Sequence, residues 1–160
     1  MALDTIADSL NNLEVFRGLS TAQLERLARE ADRIIRRDGQ TLIEAGTVGD
    51  GALIIIAGYA LVLADPARGF EATTVSPGSM LGETAMLTEH QYNLTVVADG
   101  DVRAIKISRA TLAEQMGDDP TLAEHFQARL AARLSRVALE LRVIDERLAA
   151  AADWPSSASA

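Results

Sequence analysis

Bond-making chemistry needs a nucleophile beside a base, or a pair of carboxylates held at a set separation. No readable motif in this 160-residue chain positions either, and its Ser, His and Asp residues are scattered, so an enzyme is not expected. There is no cysteine, which excludes disulfides, thiolate nucleophiles, zinc knuckles and cysteine-held iron–sulfur clusters. His90 and His125 do not stand at metal-ligand spacing and read as surface or half-buried side chains. The stretch whose residue types are arranged for chemistry is Pro77 to Ala98, PGSMLGETAMLTEHQYNLTVVA. A Pro77-Gly78 turn, a Gly82-Glu83 pair and one short helical turn break a strand-like region there. The apolar strand Leu94–Val97 follows at once.

The elements that must hold this stretch are legible in the periodicity. Residues 4 to 13 read as a short amphipathic helix, ended by Arg17-Gly18-Leu19. Ser20 and Gln23 form a capping box for a second helix, whose inward stripe is Leu24 and Leu27 flanked by Ala28 and Ala31. From Arg33 to Ser108 the period falls to about two, with turn signals roughly every 8 to 12 residues. Strands are expected near Arg33–Arg36, Gln40–Ile43, Leu53–Ala57, Tyr59–Ala64, Ala72–Val75, Leu94–Val97 and Arg103–Ile107. Many short strands joined by Gly, Asp and Pro turns predict a sandwich or jelly roll, not an α/β fold. Gly58 parts two apolar runs without leaving room for a loop, which marks a bend where backbones approach. Ser108 caps a helix through Met116, and Asp119-Pro120 opens the longest helix, running to about Ala150. The domain reading is 1–119 for the roll with its N-terminal helices, 120–150 for the helix, and 151–160 for a disordered tail containing Trp154.

The order of these segments resembles the cyclic-nucleotide-binding domain shared by Crp/Fnr-type regulators, kinase regulatory subunits and gated channels. The marks of the resemblance are Gly39, Gly46, Leu53-Ile54-Ile55-Ile56-Ala57-Gly58, Pro77-Gly78, Gly82-Glu83, Ala85-Met86-Leu87 and Thr95-Val96, spread over roughly Leu13 to Leu141. It implies a mainly β fold with flanking helices, a β-roll followed by a long C-terminal helix. It implies cyclic AMP or cyclic GMP as ligand, with Gly82 and Glu83 on the ribose and the amides of Thr84 and Ala85 facing the phosphate. Exposed amides at a helix start suit an anion. The family's phosphate arginine falls at Tyr92, followed by Asn93, and a phenol can donate one neutral hydrogen bond but cannot form a charged fork. Arg68, Arg103 or an arginine of the long helix could supply the cation instead. Where many members read the base from that helix, this chain has Val137 and Ala138.

The helix carries its own pattern. Leu130, Leu134, Val137, Leu141, Ile144 and Leu148 alternate by four and three, a heptad seam with Leu at a and mostly Val or Ile at d. A helix of roughly 30 residues is about 45 Å long, more than a small sandwich can cover. Self-association as a dimer or larger homo-oligomer is therefore expected. Glu140 at g facing Asp145 at e of a parallel partner is a like-charge pair, and Leu at a with β-branched d favours higher oligomers.

Charge bounds the partners. The formal net charge is −8, and between Asp38 and Asp101 nine acidic residues face one base, Arg68. Nucleic acid, which needs clustered Lys and Arg, is not an expected partner. No apolar run approaches the roughly 20 residues that span a bilayer, and no signal pattern opens the chain, so a soluble, cytoplasmic protein is expected. No helix-turn-helix reader is expected in the residues after the long helix. Two functions stay open. One is a regulatory domain that binds a cyclic nucleotide or another small ligand and passes the signal to the helix. The other is a domain that has lost its ligand and serves as an oligomeric scaffold or docks a partner protein.

Overall fold

The computed structural model describes residues 3–152; for Arg133, Leu134, Val137, Ala151 and Ala152 it describes the backbone alone. The expected tail beyond residue 152, with Trp154, lies outside the described residues. The described residues divide into two compact units, with the boundary between His125 and Phe126.

The first unit begins with α1 (Leu3–Asn11) and α2 (Thr21–Glu30). The capping box of α2 is formed: Ser20 Oγ accepts from the Gln23 N–H at 3.2 Å, and Gln23 Oε1 accepts from the Ser20 N–H at 2.9 Å. Leu24, Leu27 and Ala28 are buried, so the cap sets the helix phase that turns this stripe inward. Eight strands follow: β1 (Asp32–Arg36), β2 (Thr41–Ile43), β3 (Val48–Gly49), β4 (Gly51–Val62), β5 (Thr73–Val75), β6 (Met80–Leu81), β7 (His90–Gln91) and β8 (Val96–Ser108). The short helix α3 (Glu83–Leu87) lies between β6 and β7.

The larger sheet is antiparallel, in the order β1-β8-β4-β5, with β2 also on β8 and β6 also on β4; β3 and β7 form a separate ribbon. This is the expected β-roll with flanking helices. Its interior holds Ile43, Leu53, Ile55, Val62, Val75, Val96 and Val102, with Tyr92, Leu81 and Leu94 packed against them. Ala52, Ile54, Ile105 and Ile107, which alternate with these along β4 and β8, are equally buried, and α3 packs against β4.

Two expected strand pairs are each one long strand. The runs 53–57 and 59–64 merge into β4, and 94–97 and 103–107 merge into β8 across Asp99-Gly100-Asp101. The turn signals mark a bulge, with the pairing register slipping between Ala57 and Tyr59. Gly58 has φ +85°, and a Cβ there would strike the Asp101 carbonyl and lie 3.1 Å from Val102 Cα. The close approach is as expected, but the chain continues as strand because glycine absorbs the bend.

Ser108 Oγ accepts from the Thr111 N–H at 3.1 Å and caps α4 (Arg109–Asp118). Asp119 Oδ1 accepts from the N–H groups of Thr121 and Leu122 at the start of α5 (Pro120–Ala152). Pro120 at the first helical position needs no donor there. At 33 residues, α5 is about 50 Å long.

Candidate functional site

The backbone of Tyr92 is fixed before its side chain is. Its N–H donates to the Thr47 carbonyl at 2.9 Å, and its own carbonyl accepts from the Gly46 N–H at 2.8 Å. The β3–β7 ribbon, pairing Val48 with Gln91 and Gly49 with His90, continues the same ladder. This aims the ring inward, where the hydroxyl donates to the Gly51 carbonyl at 2.6 Å. A Cβ added at Gly49 would stand 2.7 Å from two ring carbons and 2.6 Å from Ala85 Cβ; one at Gly82 would stand 2.9 Å from the ring. Two glycines thus make the room that the ring fills. Burial, and after it the Asp50 carboxylate, pushes the phenol above its ordinary pKa, so the hydroxyl stays a neutral donor.

The remaining site residues surround it unequally. Gly82, at φ +74°, is the left-handed residue that turns β6 into α3. Glu83 and Thr84 are half-buried on the first turn of α3, and Ala85 is buried, its N–H donating to the Gly82 carbonyl at 3.1 Å. Asn93 is exposed, and its carbonyl accepts from Arg68 Nη1 at 3.1 Å. So Gly82, Ala85 and Tyr92 gather around Gly49 and Gly51, with Asn93 on the rim.

Of the cations considered from sequence, Arg68 reaches this rim. Arg103 lies exposed on β8 opposite Ala57 and Ile35. One arginine was not legible in advance. Arg109, the first residue of α4, donates through Nη1 to the carbonyls of Gly49 (3.0 Å), Ala85 (2.9 Å) and Thr88 (3.2 Å). It satisfies carbonyls at the C-terminal end of α3 and ties α3 to β3 and α4. Its partners lie 60, 24 and 21 residues away, so no local spacing signals it.

On α5, Leu141, Ile144 and Leu148 of the seam are exposed and Leu130 is half-buried; the side chains of Leu134 and Val137 lie outside the described residues. Leu139 and Val143, off the seam, are also exposed and with Glu140 and Ile144 line a groove. Among the described residues no group of His, Asp and Glu could hold a metal ion, and no helix is long and apolar enough to cross a membrane.

Residues 35–119 match the family described as cyclic nucleotide-binding domain. A cAMP-dependent protein kinase regulatory subunit of Mucor circinelloides f. lusitanicus is 26% identical over 68% of this chain and 26% of its own length. A CRP-like cAMP-activated global transcriptional regulator of Mycobacterium tuberculosis is 26% identical over 76% of this chain and 55% of its length. The chain therefore spans between about a quarter and about half of these relatives. A solved cyclic nucleotide-binding-like protein from Brucella abortus, 29% identical, superposes with a TM-score of 0.62 over 68% of this chain and 95% of its own. The N-terminal domain of a transcriptional regulator from Streptomyces coelicolor, 20% identical, shares the fold at a TM-score of 0.73, over 82% of this chain and 92% of its own.

Proposed function

Because the chain belongs to the cyclic nucleotide-binding domain family, we propose that it is a non-enzymatic regulatory domain that takes a cyclic nucleotide in its β-roll and self-associates through α5. The observation that carries the ligand half is the family match over residues 35–119, which includes Gly82, Glu83, Thr84, Ala85, Tyr92 and Asn93. Two relatives name cyclic AMP in their descriptions, so cyclic AMP is the first ligand to try and cyclic GMP the second. Tyr92 makes this an atypical site. A hydrogen bond to a charged group contributes about 1.5–3 kcal/mol, so affinity should stand on the order of ten- to a hundredfold below that of a site with a guanidinium at residue 92. Calorimetric titration with each nucleotide tests the reading. Saturable heat is expected, and silence at millimolar ligand would remove it.

The self-association half rests on the exposed Leu141, Ile144 and Leu148, which repeat at heptad spacing. A second copy offers the same repeat, which is what a heptad seam packs against. Native mass spectrometry should report a dimer or larger assembly, and Leu141→Asp should reduce its size; an unchanged assembly would refute the seam.

A second reading is favoured by one observation. The Tyr92 ring already fills the space above Gly49 and Gly82 and its hydroxyl is already bonded to Gly51. A domain closed in this way would serve as an oligomeric scaffold or as a docking module for a partner protein. It is distinguished by an intact assembly that binds neither nucleotide. A cytoplasmic location belongs to both readings.

A further inference from the structure

The cyclic nucleotide of the proposed function is an anion, and the middle of this chain is acidic. Between Asp38 and Asp101 the single basic residue is Arg68. It stands in the turn between β4 and β5, and the fold brings it to the candidate site. The turn is closed on itself by reciprocal hydrogen bonds between Asp65 and Phe70, at 2.9 and 3.0 Å, and by the Arg68 N–H on the Asp65 carbonyl at 3.0 Å. Its base is tied to the strand that follows Tyr92, through the Leu63 N–H on the Thr95 carbonyl at 2.9 Å. The guanidinium is oriented by the Asp65 carboxylate, 3.5 Å from Nε, and lands on the Asn93 carbonyl, one residue past Tyr92.

Two other cations near the candidate site are committed elsewhere, and Arg103 lies on β8 opposite Ala57 and Ile35. Lys106 pairs with Asp50 at 3.0 Å, and Arg109 holds three carbonyls. Arg68 donates one of the five N–H groups of its guanidinium to Asn93 and stands in an ion pair with Asp65, and its side chain is half exposed, so a ligand can reach the remaining donors.

We propose that Arg68, from the β4–β5 turn, supplies the cationic contact to the ligand's phosphate that residue 92 cannot make. A planar fork suits phosphate oxygens, and the hydrogen bond to the Asn93 carbonyl keeps the guanidinium beside residue 92. This rests on the ligand-binding reading, and the phosphate then sits on the Asn93 side of Tyr92.

The test is calorimetry on the full chain with cyclic AMP and with adenosine, for the wild type, Arg68→Ala and Arg68→Lys. Arg68→Ala should weaken cyclic AMP about ten- to a hundredfold, leave adenosine unchanged, and leave the melting temperature within about a degree, as for a surface substitution. Arg68→Lys should fall between, having charge without the fork. Wild-type binding with an equal affinity in Arg68→Ala would overturn the assignment and leave the ligand-binding reading standing. An equal loss for adenosine would overturn it too, showing that the turn packs against the nucleoside. Absence of wild-type binding would remove the ligand reading and this proposal together.

Discussion

The ring of Tyr92 occupies the volume that a side chain at Gly49 would need, with a Cβ there only 2.7 Å from the ring carbons Cε1 and Cζ. The pairing makes Gly49 intolerant for a reason of packing and not of backbone conformation, since its φ is not in the left-handed region. Gly49→Ala should therefore lower the unfolding free energy by about 1–3 kcal/mol, the usual cost of overpacking. A urea midpoint unchanged from wild type would show that the ring swings aside freely.

Tyr92→Phe keeps the ring and removes the 2.6 Å bond to Gly51. A loss of about 1 kcal/mol is expected at neutral pH. The sign of the pH dependence follows from the raised phenol pKa. The folded state holds the proton more tightly than the unfolded one, so the stabilisation is full below the ordinary value of about 10 and is lost as pH climbs through the folded value. Denaturation curves from neutral to strongly alkaline pH should show the gap between wild type and Tyr92→Phe closing at the alkaline end; a constant gap would contradict this.

Arg109→Ala strips one cation from three carbonyls, two of them at the end of α3. A destabilisation of about 1.5–3 kcal/mol is expected, with faster amide exchange concentrated in 83–88. Exchange rising evenly over the whole roll would instead mean that the arginine braces the domain as a whole. Arg109→Lys should recover part of the loss, because all three bonds come from the single Nη1 position, which an ammonium with three donors can imitate only if the shorter side chain reaches it.

Tyr92→Arg restores a guanidinium at the position where the family resemblance expects one. Cyclic AMP should then bind about ten- to a hundredfold tighter than to wild type, read by calorimetry. An unchanged affinity would show that the ligand's anionic group lies beyond the reach of a guanidinium at residue 92.

The local rules carried the sequence reading a long way. Ser20 with Gln23, Ser108 with Thr111, and Asp119 ahead of Pro120 each involve partners at most three residues apart, and each forms the cap that this spacing predicts. Gly58 was legible as a close approach, but not as a bulge inside one strand, because the residue that crowds it, Asp101, belongs to a distant strand. The two-residue strands β3, β6 and β7 carry too few residues for a period to show.

The sequence by itself determined a mainly β domain of short strands followed by a long helix with a heptad pattern, and, through the family resemblance, a β-roll with a phenol where a guanidinium is expected. Those properties follow from short-range order: periodicity, caps, turn residues and residue type. Only the tertiary structure decided that Tyr92 points inward onto Gly51, that Gly49 and Gly82 leave it room, that Arg109 grips α3, and that Arg68 comes to rest beside Asn93. Each of these joins residues on different elements, most of them 20 or more apart in the chain. Such contacts are set by how strands pair and cross, and a linear pattern holds no record of that.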